Sequence, residues 1–154
     1  MFITSIWRLS KITIKSGIYE KEEIDFNTII TSIKNNPNIE DAGAILSFNG
    51  IVRNTSKDGK LVNSLTIDAY DELANKSIKK ICQEIQEREG IIDIKIIHLK
   101  GTFQVSEDLV YVVVASAHRE EGFEALRNGV ERYKSEIEVW KRENFKNGSS
   151  KWIH

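Results

Sequence analysis

Two lysines seven positions apart, Lys134 and Lys141 in "RYKSEIEVWKRE" (residues 132–143), are of a type and spacing that suits chemistry. A lysine amine acts as acid, base or nucleophile once burial or a neighbouring cation brings its pKa towards neutrality. If one helix ran through both, they would stand roughly 10 Å apart on one face, with room for a small phosphorylated ligand between them. A charge run of this kind is also what an ordinary solvated helix face looks like, so the pair needs support from elsewhere in the chain.

Two other stretches offer cations. In "ASAHREEGF" a buried strand ends, His118 and Arg119 follow, and a helix begins at about Glu120. The start of a helix presents free backbone N–H groups and a partial positive charge, which attract phosphates and carboxylates, and an arginine adds a two-pronged donor. The competing reading is a loop with a capping histidine and a surface arginine. In "GIVRN", Arg53 closes a strand beside a polar loop, where it is either a ligand-binding cation or a solvated strand end.

Other chemistries are poorly served. Cys82 is the single cysteine, which excludes an internal disulfide and a cysteine-based zinc site, and it falls in the apolar stripe of a helix as an inert core residue would. His98 sits within strand alternation, His154 is terminal, and the three histidines are not at metal-ligand spacing, so no metal is expected. No phosphate-binding glycine loop, dinucleotide glycine pattern or Ser-His-Asp order is present.

The elements that must position these residues belong to one chain of 154 residues, read as a single domain over 1–154. Hydrophobic residues at 40% and charged residues at 29% describe a globular protein, and a net charge of −1 argues against general nucleic-acid coating. No apolar run approaches the roughly 18 residues of a membrane helix, and the cytoplasm is the default compartment.

Residues 5–15 alternate as a first strand. Phe26, Ile29, Ile30 and Ile33 share a helix face behind an Asp25 cap. Residues 43–53 read as a strand with a bulge or close approach at Gly50. The loop 54–60 is the best candidate for mobility, and "LVNSLTIDAY" returns as a strand. Leu73, Ile78, Ile81, Cys82 and Ile85 stripe a helix over 71–89 that Gly90 stops. "IIDIKIIHL" is a strand with a turn at Lys100-Gly101, and 108–117 is a central strand buried on both faces. The helix after it turns Phe123, Leu126, Val130, Tyr133 and Ile137 inward. The class is α+β, a mixed or antiparallel sheet packed by helices.

The stretches "GAILSFNGIVRN", "LTIDAYDELANKSIKKI", "IIHLKGTFQVSEDLVYVVVASAHREEGFEA", "ERYKSEIEVWKRE" and "SKWI" together resemble the catalytic (large) subunit of molybdopterin synthase. The resemblance spans about Gly43 to Trp152 and is weak over the first forty residues. It implies an α/β hammerhead fold with a small additional sheet. It also implies sulfur transfer: a cyclic pyranopterin monophosphate becomes molybdopterin by gaining two sulfurs as a dithiolene. The implied sulfur donor is the Gly-Gly thiocarboxylate tail of a small ubiquitin-like subunit, and the implied assembly is a homodimer of large subunits within a heterotetramer. No cofactor is implied.

Carried over by motif, the resemblance assigns substrate binding to Ile51, Val52, Arg53, His118, Arg119, Arg142 and Glu143. It assigns both binding and catalysis to Lys134 and Lys141. One position departs from the family: the proline usually found two residues before the tryptophan is Glu138 here, so the helix either runs on through both lysines or ends without proline. The competing function is a phosphate- or nucleotide-binding module without catalysis, which would explain the cations but not the ordered set of HR, K and WKRE.

Overall fold

The computed structural model describes residues 13–153. The strand expected at 5–15 lies mostly outside them, and its described end, 13–15, is not strand. The chain runs β1 (Gly17–Glu20), α1 (Phe26–Lys34), β2 (Ala44–Ile51), β3 (Val62–Ala69), α2 (Asp71–Gln86), β4 (Ile91–Gln104), β5 (Asp108–Ser116), α3 (Arg119–Glu136), β6 (Val139–Phe145) and β7 (Ser150–Ile153), with a single 3-10 turn at Ile39–Asp41. The strands line up as β2-β5-β4-β3-β6-β7, all antiparallel, while β1 adds to β4 in parallel. The expected α+β class, an antiparallel-dominated sheet packed by helices, is what the chain adopts.

β5 is the centre. Its run of β-branched residues, Val110 and Val112–Val114, is buried on both faces between β2 and β4. Because side chains alternate across a strand, α3 packs against the Val112 face while Phe26 of α1 meets Tyr111 on the other, ring centroids 5.8 Å apart. Asp25 caps α1 as expected, its carboxylate accepting from the Thr28 N–H at 2.8 Å.

Three elements differ from expectation. Lys100-Gly101 is not a turn: β4 continues to Gln104, and Gly101 (φ +133°) bends it where its partners change from β5 and β1 to β3. A glycine is needed for that backbone, since L side chains rarely adopt it. The chain reverses instead at Ser106, which has φ +76°. On α2, Leu73 is 47% exposed and Ala74 takes its place in the buried stripe with Ile78, Ile81 and Ile85. The helix also ends at Gln86, ahead of Gly90, which supplies a positive φ in the following turn.

The third difference concerns α3. Its buried face is Gly122, Ala125, Gly129 and Tyr133, whereas Phe123 is 60% exposed. Small residues bring this helix close to the sheet: a Cβ on Gly122 would stand 2.5 Å from both Leu46 Cδ1 and Ser116 Oγ. Helix α3 then stops at Glu136 without a proline. Ile137 is extended (φ −96°, ψ 150°), and Glu138 is held from two sides. Its carboxylate accepts from Ser77 Oγ at 3.0 and 3.1 Å, and its carbonyl accepts from the Tyr70 N–H at 3.1 Å. These bonds feed the chain into β6 beside β3. Among the described residues no helix is long and apolar enough to cross a membrane.

Candidate active site

Lys134 occupies the last turn of α3, and Lys141 the third position of β6. Strand alternation turns Lys141 and Glu143 to one face and Arg142 to the other. Lys134, Lys141 and Glu143 line a cavity of about 330 Å³ whose wall also takes in Phe48 to Arg53, Val110 of β5 and Tyr133. Ile51, Val52 and Arg53 therefore meet both lysines there. Gly50 makes the wall possible. The strand bulges at Gly50/Ile51, and a Cβ on Gly50 would stand 2.6 Å from Val110 Cγ1.

The site is cationic and largely unneutralised. Among the described residues no carboxylate comes within ion-pairing distance of Lys134, Lys141 or Arg53, although Glu143 shares the cavity wall. Lys134 Nζ stands 5.9 Å from the centre of the Phe48 ring, an attraction that holds the amine without discharging it. Burial pushes the Lys141 pKa down, and the nearby charge of Lys134 pushes it down further. Both effects favour a neutral amine.

Behind the cavity lies a residue of the strand alternation that was given no part in the site. His98 of β4 is 1% exposed and packs edge-on against Tyr133, ring centroids 5.8 Å apart at 76°. Its Nδ1 is 3.1 Å from the Leu99 carbonyl. A carbonyl only accepts, so Nδ1 carries the proton and Nε2 is left with its lone pair. Burial, aided by the charge on Lys141, lowers the His98 pKa to about 4. It is a neutral imidazole beneath a cationic pocket. Phe48 was likewise missed. The signal available for it was strand alternation, since Phe48 and Gly50 fall on one face of β2.

The remaining expected site residues stand elsewhere. Arg142 turns away from the lysines: its guanidinium lies 5.5 Å from the Trp152 ring centre, and its Nε is buried with no hydrogen-bond partner among the described residues. His118 caps α3 and Arg119 opens it, both exposed. The Glu121 carboxylate accepts from the His118 N–H at 3.1 Å, so this helix start already has anions of its own. From Arg119 to Lys134 the helix rises about 22 Å at 1.5 Å per residue. One copy of the chain does not bring His118 and Arg119 to the lysine cavity.

Cys82 also stands apart. It borders a larger cavity of about 710 Å³ between α2, β1 and β4, and burial raises its thiol pKa. That cavity contains none of the expected site residues. Size alone does not locate the chemistry.

Comparison with known proteins finds relatives of this fold. The MoaE protein family matches residues 19–136, a stretch that includes Arg53, His118, Arg119 and Lys134 and stops short of Lys141. A protein of Thermoplasma volcanium named molybdopterin synthase catalytic subunit is 39% identical over 112 residues, covering 73% of this chain and 81% of its own. The human protein of the same name is 36% identical over 108 residues, 70% of this chain and 57% of its own. Among solved structures, molybdopterin synthase from Staphylococcus aureus superposes with a TM-score of 0.80 at 31% identity, covering 92% of this chain and 98% of that one. A complex of subunits 1 and 2 of molybdopterin-converting factor from Helicobacter pylori shares the fold, with a TM-score of 0.66 at 20% identity over 92% of this chain and 87% of that one.

Proposed function

The chain belongs to the MoaE protein family, and from that membership we infer that it is the catalytic subunit of a molybdopterin synthase, a sulfur-transferring enzyme of molybdenum cofactor biosynthesis. Its substrate is a cyclic pyranopterin monophosphate, and the product is the dithiolene of molybdopterin. The observation that carries this reading is the convergence of Lys134, Lys141 and Arg53, none of them ion-paired among the described residues, on one cavity. A phosphorylated pterin and a thiocarboxylate are both anions, and such a cavity attracts both.

Lys141 is the residue that engages the thiocarboxylate or an intermediate, because its amine is the one burial drives towards neutrality. Lys134, exposed at the cavity mouth, positions substrate and transfers protons. Arg53 holds the phosphate, with the Ile51–Val52 backbone and Glu143 shaping the wall. Sulfur has to come from outside, since the Cys82 thiol is remote from the cavity and held protonated by burial. A small ubiquitin-like partner with a Gly-Gly thiocarboxylate tail supplies it, each transfer leaving a carboxylate on the tail. A cytoplasmic location fits an unpaired cysteine.

His118 and Arg119 serve a second copy. Standing about 22 Å along α3 from Lys134, they bind substrate in the partner protomer's cavity within a homodimer, itself part of a heterotetramer. Arg142, on the face away from Lys141, supports β6 through Trp152 rather than touching the pterin.

The test is reconstitution. Purified protein, a thiocarboxylated ubiquitin-like partner and the cyclic pterin monophosphate should yield molybdopterin, and Lys141→Ala should abolish it while leaving the fold intact. A nucleotide- or phosphate-binding module would bind the pterin and make no product.

A further inference from the structure

We propose that the hydroxyl of Tyr133 is a third ligand-binding group of the lysine cavity, donating a hydrogen bond to an anionic oxygen held between Lys134 and Lys141. The inference rests on the functional reading above and adds a residue that neither the motifs nor the family resemblance assigns.

Tyr133 is 4% exposed and lines the cavity. Its ring is held on two sides, tilted against Phe48 at 6.4 Å and edge-on to His98 at 5.8 Å. The hydroxyl ends beside the bulged strand, 3.8 Å from where a Cβ on Gly50 would stand. The hydroxyl is not sealed in the core but opens to the cavity, where a ligand can serve as its partner. Among the described residues it has none, and burial is the sole influence on its ionisation.

Burial pushes its pKa up to about 12, so the group stays protonated and acts as a donor throughout the neutral range. A rigid ring carrying an unbonded donor into the wall of a cationic cavity is what recognition of an oxyanion requires. The ring fixes where the hydroxyl points, and among the described residues no acceptor is bonded to it. Two ligand oxygens have this chemistry, one on the pterin phosphate and one on the partner's thiocarboxylate. Both arrive where the lysines are.

Tyr133→Phe removes the oxygen and keeps the ring. Wild type and variant are compared in turnover with thiocarboxylated partner and cyclic pterin monophosphate. Calorimetry then gives the affinity for the pterin phosphate alone and for a carboxylate-ended partner alone, and thermal unfolding gives Tm. Loss of a hydrogen bond to a charged group should lower turnover or one affinity by about tenfold or more, with Tm unchanged or raised. Weaker pterin binding assigns the hydroxyl to the substrate; weaker partner binding assigns it to the tail; a fall in turnover alone assigns it to charge that develops during transfer. Turnover and both affinities within twofold of wild type overturn the proposal, as does a lowered Tm, which would show the hydroxyl bonded within the protein. A wild type that makes no molybdopterin overturns the functional reading beneath it, and the proposal with it. An active wild type equalled by Tyr133→Phe overturns the proposal alone.

Discussion

Lys134 and Lys141 enter one cavity from different secondary structures, the last turn of α3 and the third residue of β6, so the short link between helix and strand sets how strongly two like charges oppose each other. At Lys141 the pKa is lowered, first by loss of water and then by the charge of Lys134.

Replacing Lys134 by methionine should therefore raise the Lys141 pKa towards that of a free amine. The sign follows directly: one cation fewer makes the ammonium of Lys141 less costly. If turnover needs the neutral amine, the rising limb of the pH–rate profile moves to higher pH in the variant. Carbon-13 labelling of lysine Cε allows the titration to be followed by NMR. A Lys141 titration unmoved by Lys134→Met would show that the two amines do not interact.

His98 should make the fold sensitive to mild acid. Its folded pKa of about 4 lies below the ordinary histidine value of 6.5, so above pH 6.5 it is neutral folded or unfolded and contributes no slope. As pH falls through 6.5 the unfolded chain takes up a proton that the folded chain refuses. Stability drops until about pH 4, by about 3 kcal/mol. His98→Leu should flatten Tm against pH across that window. A variant that retains the wild-type slope would assign the acid sensitivity to carboxylates instead.

Complementation tests whether His118 and Arg119 serve the second copy. Arg119→Ala and Lys141→Ala should each be inactive or severely impaired alone. Mixed dimers of the two contain one cavity with both defects and one with neither, so co-purified heterodimers should regain about half of wild-type turnover. If both functions were needed within a single chain, every cavity would carry a defect and no activity would return.

The packing of α3 gives a paired prediction. Gly122→Ala places a methyl 2.5 Å from Leu46 Cδ1 and Ser116 Oγ. Overpacking of about 1–3 kcal/mol should outweigh the helix preference for alanine of about 1 kcal/mol and lower Tm. Phe123→Ala, on the exposed face, should change stability by no more than about 0.5 kcal/mol. A Phe123 packed inward, as the apolar periodicity of the sequence expects, would instead give a large loss, so thermal unfolding of the two variants tests where the first turns of the helix face the sheet.

That helix also shows where sequence reading succeeds and fails. β5 is legible because a run of β-branched residues has no stable home outside a buried strand. The inner face of α3 is legible in part: Leu126, Val130, Tyr133 and Ile137 pack against the core as their spacing expects, whereas Phe123 does not. Gly122, Ala125 and Gly129 are buried for their smallness, which a hydrophobic pattern does not register. β6, "VWKRENF", carries too many charges to read as a strand and β7, "SKWI", is too short, and each is fixed by its neighbours in the sheet. Lys134 and Lys141 stand out by type and spacing, but the cavity that gives them meaning was invisible. Its wall is built from Phe48, Tyr133 and the bulge at Gly50, with His98 behind, and these meet only after the sheet has formed.

β6 pairs with β3 across about 75 residues of intervening chain, Lys141 opposite Ile67 and Glu143 opposite Leu65. Contacts so distant in sequence are slow to form, because the loop between them must close first. The central strands and α3 can associate while this pairing is still unmade, but until it is made Lys141 has no cavity to face. The opposite wall has the same requirement, since Phe48 of β2 pairs with Val112 of β5 across about 64 residues. Both lysines therefore face one cavity only on a chain whose sheet is already closed.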